Sequence, residues 1–166
     1  MSEKLARLRP PYVAVVGDGD PRGPYAHRLL EWAEEVGQYL ARGGAVVITG
    51  GLGGVMGAAA DGVASVGGIV IGLLPSIDRS AAHPSVTIAI PTGLGELRNG
   101  LVVRIADSVL AIGGSWGTLS EIALAMRTGV PLVTVGSPIP AGLSVSAAAT
   151  VEEALPLVLA AAERGR

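Results

Sequence analysis

The stretch Ser108–Met126, SVLAIGGSWGTLSEIALAM, decides how the chain is read. Its first five residues, Ser108–Ile112, form a nearly continuous apolar run, the pattern of a parallel strand covered on both faces. Gly113 and Gly114 end that run, and a helical segment follows over Thr118–Thr128. A buried strand that turns through glycine into a helix is half of a βαβ unit, so the same alternation should recur on either side.

It does recur. Apolar, β-branched runs lie at Tyr12–Val16, Ala45–Thr49, Ile69–Leu73, Val86–Ile90 and Pro131–Val135. Between them, Pro24–Arg42 carries Leu29, Trp32, Ala33, Val36 and Leu40 near helical spacing, and Gly43-Gly44 supplies a stop. Val55–Val66 and Glu96–Ala106 read as further helices. Thr150 and Glu153 form a capping box for a last helix through Glu163, which Pro156 is expected to kink or delay. Gly136–Thr150, rich in Ser, Pro and Ala, reads as a long loop. The expected fold class is α/β: a Rossmann-like three-layer sandwich around a mainly parallel sheet of six or seven strands. Residues 1–166 form one domain, with residues 1–10 as a flexible tail.

Composition narrows the function. Of 166 residues, 49% are hydrophobic and 16% charged, which describes a well-buried globular chain with some apolar surface to spare for an oligomer interface. A net charge of -2 offers no general attraction to polyanions, so no nucleic-acid partner is expected and any anion site must be local. The absence of cysteine excludes disulfides, thiolate catalysis and cysteine-ligated metals. His27 and His83 have no ligand-spaced Cys, Asp or Glu neighbours, so both read as surface histidines and no metal site is expected. The N-terminal MSEKLARLRPP lacks the apolar run of a signal peptide, and six glycines from Gly43 to Gly54 break the uncharged run Gly43–Ala60. A cytoplasmic protein without a membrane partner is therefore expected. The only lysine, Lys4, lies in the tail, whereas a pyridoxal phosphate enzyme needs a lysine held inside its site.

Three strand-to-helix loops are glycine-rich: GDGDPRG from Gly17, TGGLGGVMG from Thr49 and GGSWGT from Gly113. Glycine lets a ligand approach the backbone, and the following helix start offers unpaired N–H groups and positive potential, which suits phosphate. The candidate binding residues are Gly17, Gly50, Gly51, Gly54, Met56, Gly113, Gly114, Ser115, Trp116, Gly117 and Thr118. Trp116 suits stacking on a base or pterin, and equally core or interface packing. Thr118 is placed to cap the helix while its hydroxyl touches phosphate. A dinucleotide site is disfavoured, because Arg22 stands where the first loop needs its third glycine and the second strand ends in Thr49 instead of an acid. Glu121 reads by spacing either as a site carboxylate or as an acid complementing the helix dipole.

Together, GGLGGVMGAAADGVASVGGIVIGLLP from Gly50 and ELRNGLVVRIADSVLAIGGSWGTLSEIALAM from Glu96 resemble the LOG-like superfamily, once labelled "possible lysine decarboxylase". That superfamily holds the cytokinin-activating phosphoribohydrolases (Lonely Guy proteins) and the molybdenum cofactor carrier proteins. The hydrolase motif is Pro-Gly-Gly-x-Gly-Thr-x-x-Glu, preceded by an arginine. Here Gly113 and Ser115 replace its proline and second glycine, while Gly114, Gly117, Thr118 and Glu121 are retained and Arg98 falls at the arginine. The resemblance implies Arg98 and Glu121 as catalytic residues of a nucleoside 5′-monophosphate phosphoribohydrolase, which needs no cofactor and releases free base and ribose 5-phosphate. Gly113, Ser115 and Arg98-Asn99 resemble the carrier branch, which implies the alternative: a non-catalytic carrier of molybdopterin or another phosphorylated metabolite. Either way the partner is a small phosphorylated ligand, and the family implies a homo-oligomer, dimer or tetramer.

Overall fold

The computed structural model describes residues 9–137, 139–140 and 142–164; residues 1–8, with Lys4 and most of the expected tail, lie outside them. Strands β1 (Tyr12–Gly17), β2 (Val46–Thr49), β3 (Ile69–Leu74), β4 (Ile88–Pro91), β5 (Ser108–Ile112), β6 (Leu132–Val135) and β7 (Ser146–Ala148) form one sheet in the order β4-β3-β2-β1-β5-β6-β7. All six pairings are parallel. The helices are α1 (Ala26–Arg42), α2 (Val55–Ser65), α3 (Arg98–Arg104), α4 (Trp116–Thr128) and α5 (Val151–Arg164).

Alternate residues of each strand serve opposite layers. Val13 and Val15 join one core with α1, α2 and α5, while Ala14 and Val16 join the other with α3 and α4. Both faces of β1 are thus buried, which is why its apolar run does not alternate. The chain reverses its direction of travel across the sheet between β1 and β5, and an open α/β sheet binds ligands beyond the carboxyl ends of its strands at such a switch point. The loops after β1 and β5 face each other there.

Three expectations are corrected. Gly136–Thr150 is not all loop: Ser146–Ala148 pairs with β6 as an edge strand, too short and too exposed to leave an apolar signature. Helix α4 begins at Trp116, two residues early, because Ser115 takes the N-cap position in extended conformation. Pro156 does not delay α5, which starts at Val151; it is the sixth helical residue, past the first turn, where the helix forgoes its bond to the Glu152 carbonyl. Thr150 Oγ1 accepts from the Glu153 N–H at 3.4 Å, as a capping box requires, but Glu153 reaches back to the Ala149 N–H instead of that of Thr150.

The closest helix packing is between α1 and α2, where Gly37 abuts the Ala59 carbonyl and Gly62 abuts the Glu34 carbonyl. Alanine in a helix interior normally gains about 1 kcal/mol over glycine. At Gly62 the added methyl meets backbone that cannot rotate away. Gly62→Ala is therefore expected to lose about 2 kcal/mol of unfolding free energy, read by urea denaturation. A gain in stability would show that the helices slide apart at no cost.

Candidate functional site

A cleft of about 240 Å³ opens between the β1 and β5 loops, lined among others by Gly17, Met56, Arg98, Ser115, Thr118 and Glu121. Each wall has a local cause. Gly17 ends β1 where a Cβ would strike Val55 and the Ile112 carbonyl, so the strand tucks between its neighbours only as glycine. Gly113 and Gly114 turn the chain from β5 into α4 at φ 59 and 151, conformations that disfavour other residues. Ser115 then begins α4 without folding its hydroxyl back as a cap. The first bond of the helix runs from the Leu119 N–H to the Ser115 carbonyl at 2.9 Å, leaving the N–H groups of Trp116, Gly117 and Thr118 without partners inside the helix.

The side chains beneath that helix start are buried. Arg98 is 7% exposed and Glu121 5%, with Arg98 Nη1 3.8 Å from Glu121 Oε1. Gly50 makes this possible: a Cβ there would collide with the Arg98 guanidinium. At 3.8 Å the attraction does not repay the loss of water, so burial raises the Glu121 carboxyl to about 7 despite Arg98, with Glu96 adding to the rise. The same burial lowers Arg98 against the pull of Glu121 and Glu96. Arg98 Nε and Thr118 Oγ1 are buried with no hydrogen-bond partner among the described residues, although buried polar groups are nearly always paired. Two orphaned groups at one uncapped helix start form a polar cradle. The reading of Glu121 as a first-turn dipole acid is set aside by its place in the second turn and its burial.

Thr118 is also not the cap expected of it. It is the third helical residue and 1% exposed. Thr118→Val keeps its shape and removes a hydroxyl that nothing in the protein satisfies. The expected result is unchanged or higher thermal stability, by up to about 1 kcal/mol, with several-fold weaker binding of a phosphomonoester in titration calorimetry. Lower stability with unchanged binding would make the hydroxyl structural.

The remaining candidates divide. Gly17, Met56, Ser115, Gly117, Thr118, Arg98 and Glu121 meet in the cleft. Gly51 packs on Leu74 and Gly72, and Gly54 on the Asp18–Gly19 backbone. The start of α2 is closed, since the Val55 N–H donates to the Asp18 carbonyl at 2.9 Å. Gly113 and Gly114 wall an adjoining hollow, and Gly114, Ser115 and the 86% exposed Trp116 line another with Leu119, Ile139 and Pro140. Asn99, outside the candidate set, is buried in the cleft wall, where its Nδ2 donates to Ser120 Oγ at 3.1 Å and Ser120 Oγ donates to the Gly117 carbonyl at 2.6 Å. That chain ties α3 to the first turn of α4. Its sequence signal was the Arg98-Asn99 pair that resembles the carrier branch. His83, expected on the surface, is half-buried against Gly57, with its N–H donating to the Gly51 carbonyl and its ring 3.8 Å from Asp61. Among the described residues no three His, Cys, Asp or Glu side chains gather to hold a metal, and no helix is long and apolar enough to cross a membrane.

A model of the SLOG cluster4 family matches residues 10–161. The chain is 34% identical to the molybdenum cofactor binding protein of the phototrophic bacterium Rippkaea orientalis, covering 92% of this chain and 98% of that one with a TM-score of 0.84. It is 32% identical to the molybdenum cofactor carrier protein of Chlamydomonas reinhardtii, covering 94% and 99% with a TM-score of 0.82. An uncharacterized protein of Archaeoglobus fulgidus is 39% identical over 107 residues, 64% of this chain and 70% of its own length.

Proposed function

Since the chain belongs to the SLOG cluster4 family, we propose that it is a non-catalytic carrier of a phosphorylated small molecule of the molybdenum cofactor type, gripped by its phosphate over Gly114–Thr118. The observation that carries this reading is the pair of orphaned buried groups, Thr118 Oγ1 and Arg98 Nε, at a helix start with no side-chain cap. A dianion satisfies both at once. Two or three charge-assisted bonds of about 1.5–3 kcal/mol each place such a ligand in roughly the millimolar to micromolar range. Trp116 offers its indole to the heterocycle beside an apolar wall of Leu119, Ile139 and Pro140.

The likeness to the two molybdenum cofactor proteins favours transport over turnover. The Glu121 carboxyl does not separate the two readings, since a value of about 7 suits a general acid of glycosidic cleavage as well as a buried wall of a binding cleft. The phosphoribohydrolase reading rests on one observation, that Arg98 and Glu121 face the same cleft. Titrating the protein with freshly released cofactor, with Trp fluorescence and native mass spectrometry as readouts, should show micromolar, stoichiometric binding. Parallel incubation with AMP should release no base. Base release that Glu121→Gln abolishes would transfer the conclusion to the hydrolase, and absence of binding to either ligand would end both readings. A homo-oligomer belongs to the same proposal, supported by Leu97, Leu101 and Ile105, exposed at four-residue spacing in and on either side of α3; light scattering measures it.

A further inference from the structure

The cleft does not end at the phosphate cradle. Beyond Gly113 and Gly114 lies a second hollow of about 450 Å³, lined on its far side by Arg22, Arg28 and Trp32. The two hollows have no lining residue in common but adjoin along the same two loops. Gly17 and Gly19 of the loop after β1 line the inner one while Asp18 and Arg22 of the same loop line the outer; across from them, Ser115 lines the inner and Gly114 the outer. The cradle and the outer hollow are thus one residue apart along each loop.

The outer end is equipped for an anion. The Arg28 guanidinium lies over the Trp32 ring, 5.4 Å from its centroid, and makes no ion pair among the described residues. Arg22 is less available, because its Nε and Nη2 are tied to Asp20. The floor is apolar, with the Leu29 side chain packed over Gly113 and the Trp32 ring over Gly136, so an anionic group there is held from the side by Arg28. Negative groups nearby are Asp18, whose carboxylate accepts the Asp20 N–H, and Glu152, which feels the Arg28 charge.

We propose that the Arg28–Trp32 hollow is a second anion subsite, so that the protein selects an elongated ligand bearing an oxyanion at each end, its phosphate over Gly114–Thr118 and its other anionic group against Arg28. This rests on the phosphate-cradle reading and adds what that reading does not require: recognition of the ligand's far end. A carrier built this way distinguishes its cargo from the many simple phosphomonoesters of the cell.

Calorimetry with inorganic phosphate, AMP and adenosine 3′,5′-bisphosphate tests it on the wild-type chain and on Arg28→Met, which keeps the apolar stem over Trp32. The bisphosphate should bind at least tenfold more tightly than AMP in the wild type. In Arg28→Met that preference should vanish while phosphate affinity changes less than twofold, and Arg28→Lys should recover part of it. Equal binding of AMP and bisphosphate by the wild type, or a preference that survives Arg28→Met, overturns the second subsite and leaves the cradle standing. Loss of phosphate and AMP binding altogether overturns the cradle, and with it this extension.

Discussion

Arg98→Met should fold normally and lose about two orders of magnitude in affinity for a phosphomonoester. The fold survives because the buried partner can discharge itself: without the guanidinium the Glu121 carboxyl rises further and stays protonated through neutral pH. Leaving a carboxyl buried and neutral costs far less than leaving it buried and charged. Binding has no such escape. Arg98 brings a positive charge and an unpartnered Nε to a site 7% exposed, where one charge-assisted contact contributes about 1.5–3 kcal/mol. Arg98→Lys should recover only part of the loss, since an ammonium has no second edge to offer. Gly50→Ala gives an independent check. Its Cβ displaces the guanidinium while leaving its charge in the protein, so it should weaken the ligand by a comparable factor. Wild-type affinity in either variant, measured by calorimetry, would remove Arg98 from the site.

Much of the architecture was legible because burial on two faces writes itself plainly. β1, β3 and β5 are covered by helices above and below, so their apolar runs are unbroken and their bounds fell within a residue. β7 escaped because a three-residue edge strand of Ser and Ala carries no periodicity. The start of α4 escaped for another reason. Ser115-Trp116-Gly117 is poor in helix formers, and it is helical because the two preceding glycines aim the chain, not because of local propensity. At the site, spacing alone left Glu121 between a dipole acid and a functional acid, and Arg98 was singled out by the resemblance and not by spacing. What spacing could not show is their burial, which depends on Gly50 making room for a guanidinium whose position lies 48 residues further along the chain. Asn99 stood out only as half of the Arg98-Asn99 resemblance, because its contact with Ser120 exists only in the folded chain, and Arg28 lies one helical turn before Trp32 without that spacing saying which hollow they line.

The stability of the protein should fall by about 3 kcal/mol, relative to Glu121→Gln, as pH rises from 4.5 through 7. The folded carboxyl sits at about 7 and the unfolded one near its ordinary 4.5, so between those values the native state holds a proton that the unfolded chain has released. Each step up in pH there favours unfolding. The contribution is complete below 4.5 and gone above 7, the reverse of a salt-bridged acid, and Glu121→Gln cancels it because an amide does not titrate. Urea unfolding of both proteins at half-unit pH steps measures the difference, and parallel curves from 4.5 to 8 would mean that Arg98 holds the carboxyl ionised after all. The ligand should obey the same proton. A phosphomonoester becomes a dianion above about 6, and it approaches a cleft in which Glu121 turns negative near 7. Affinity should therefore crest between those values and decline on the alkaline side. In Glu121→Gln the alkaline decline should vanish while the acid limb, which belongs to the phosphate, remains. That separation places the titrating group in the binding site and not merely in the core beneath it.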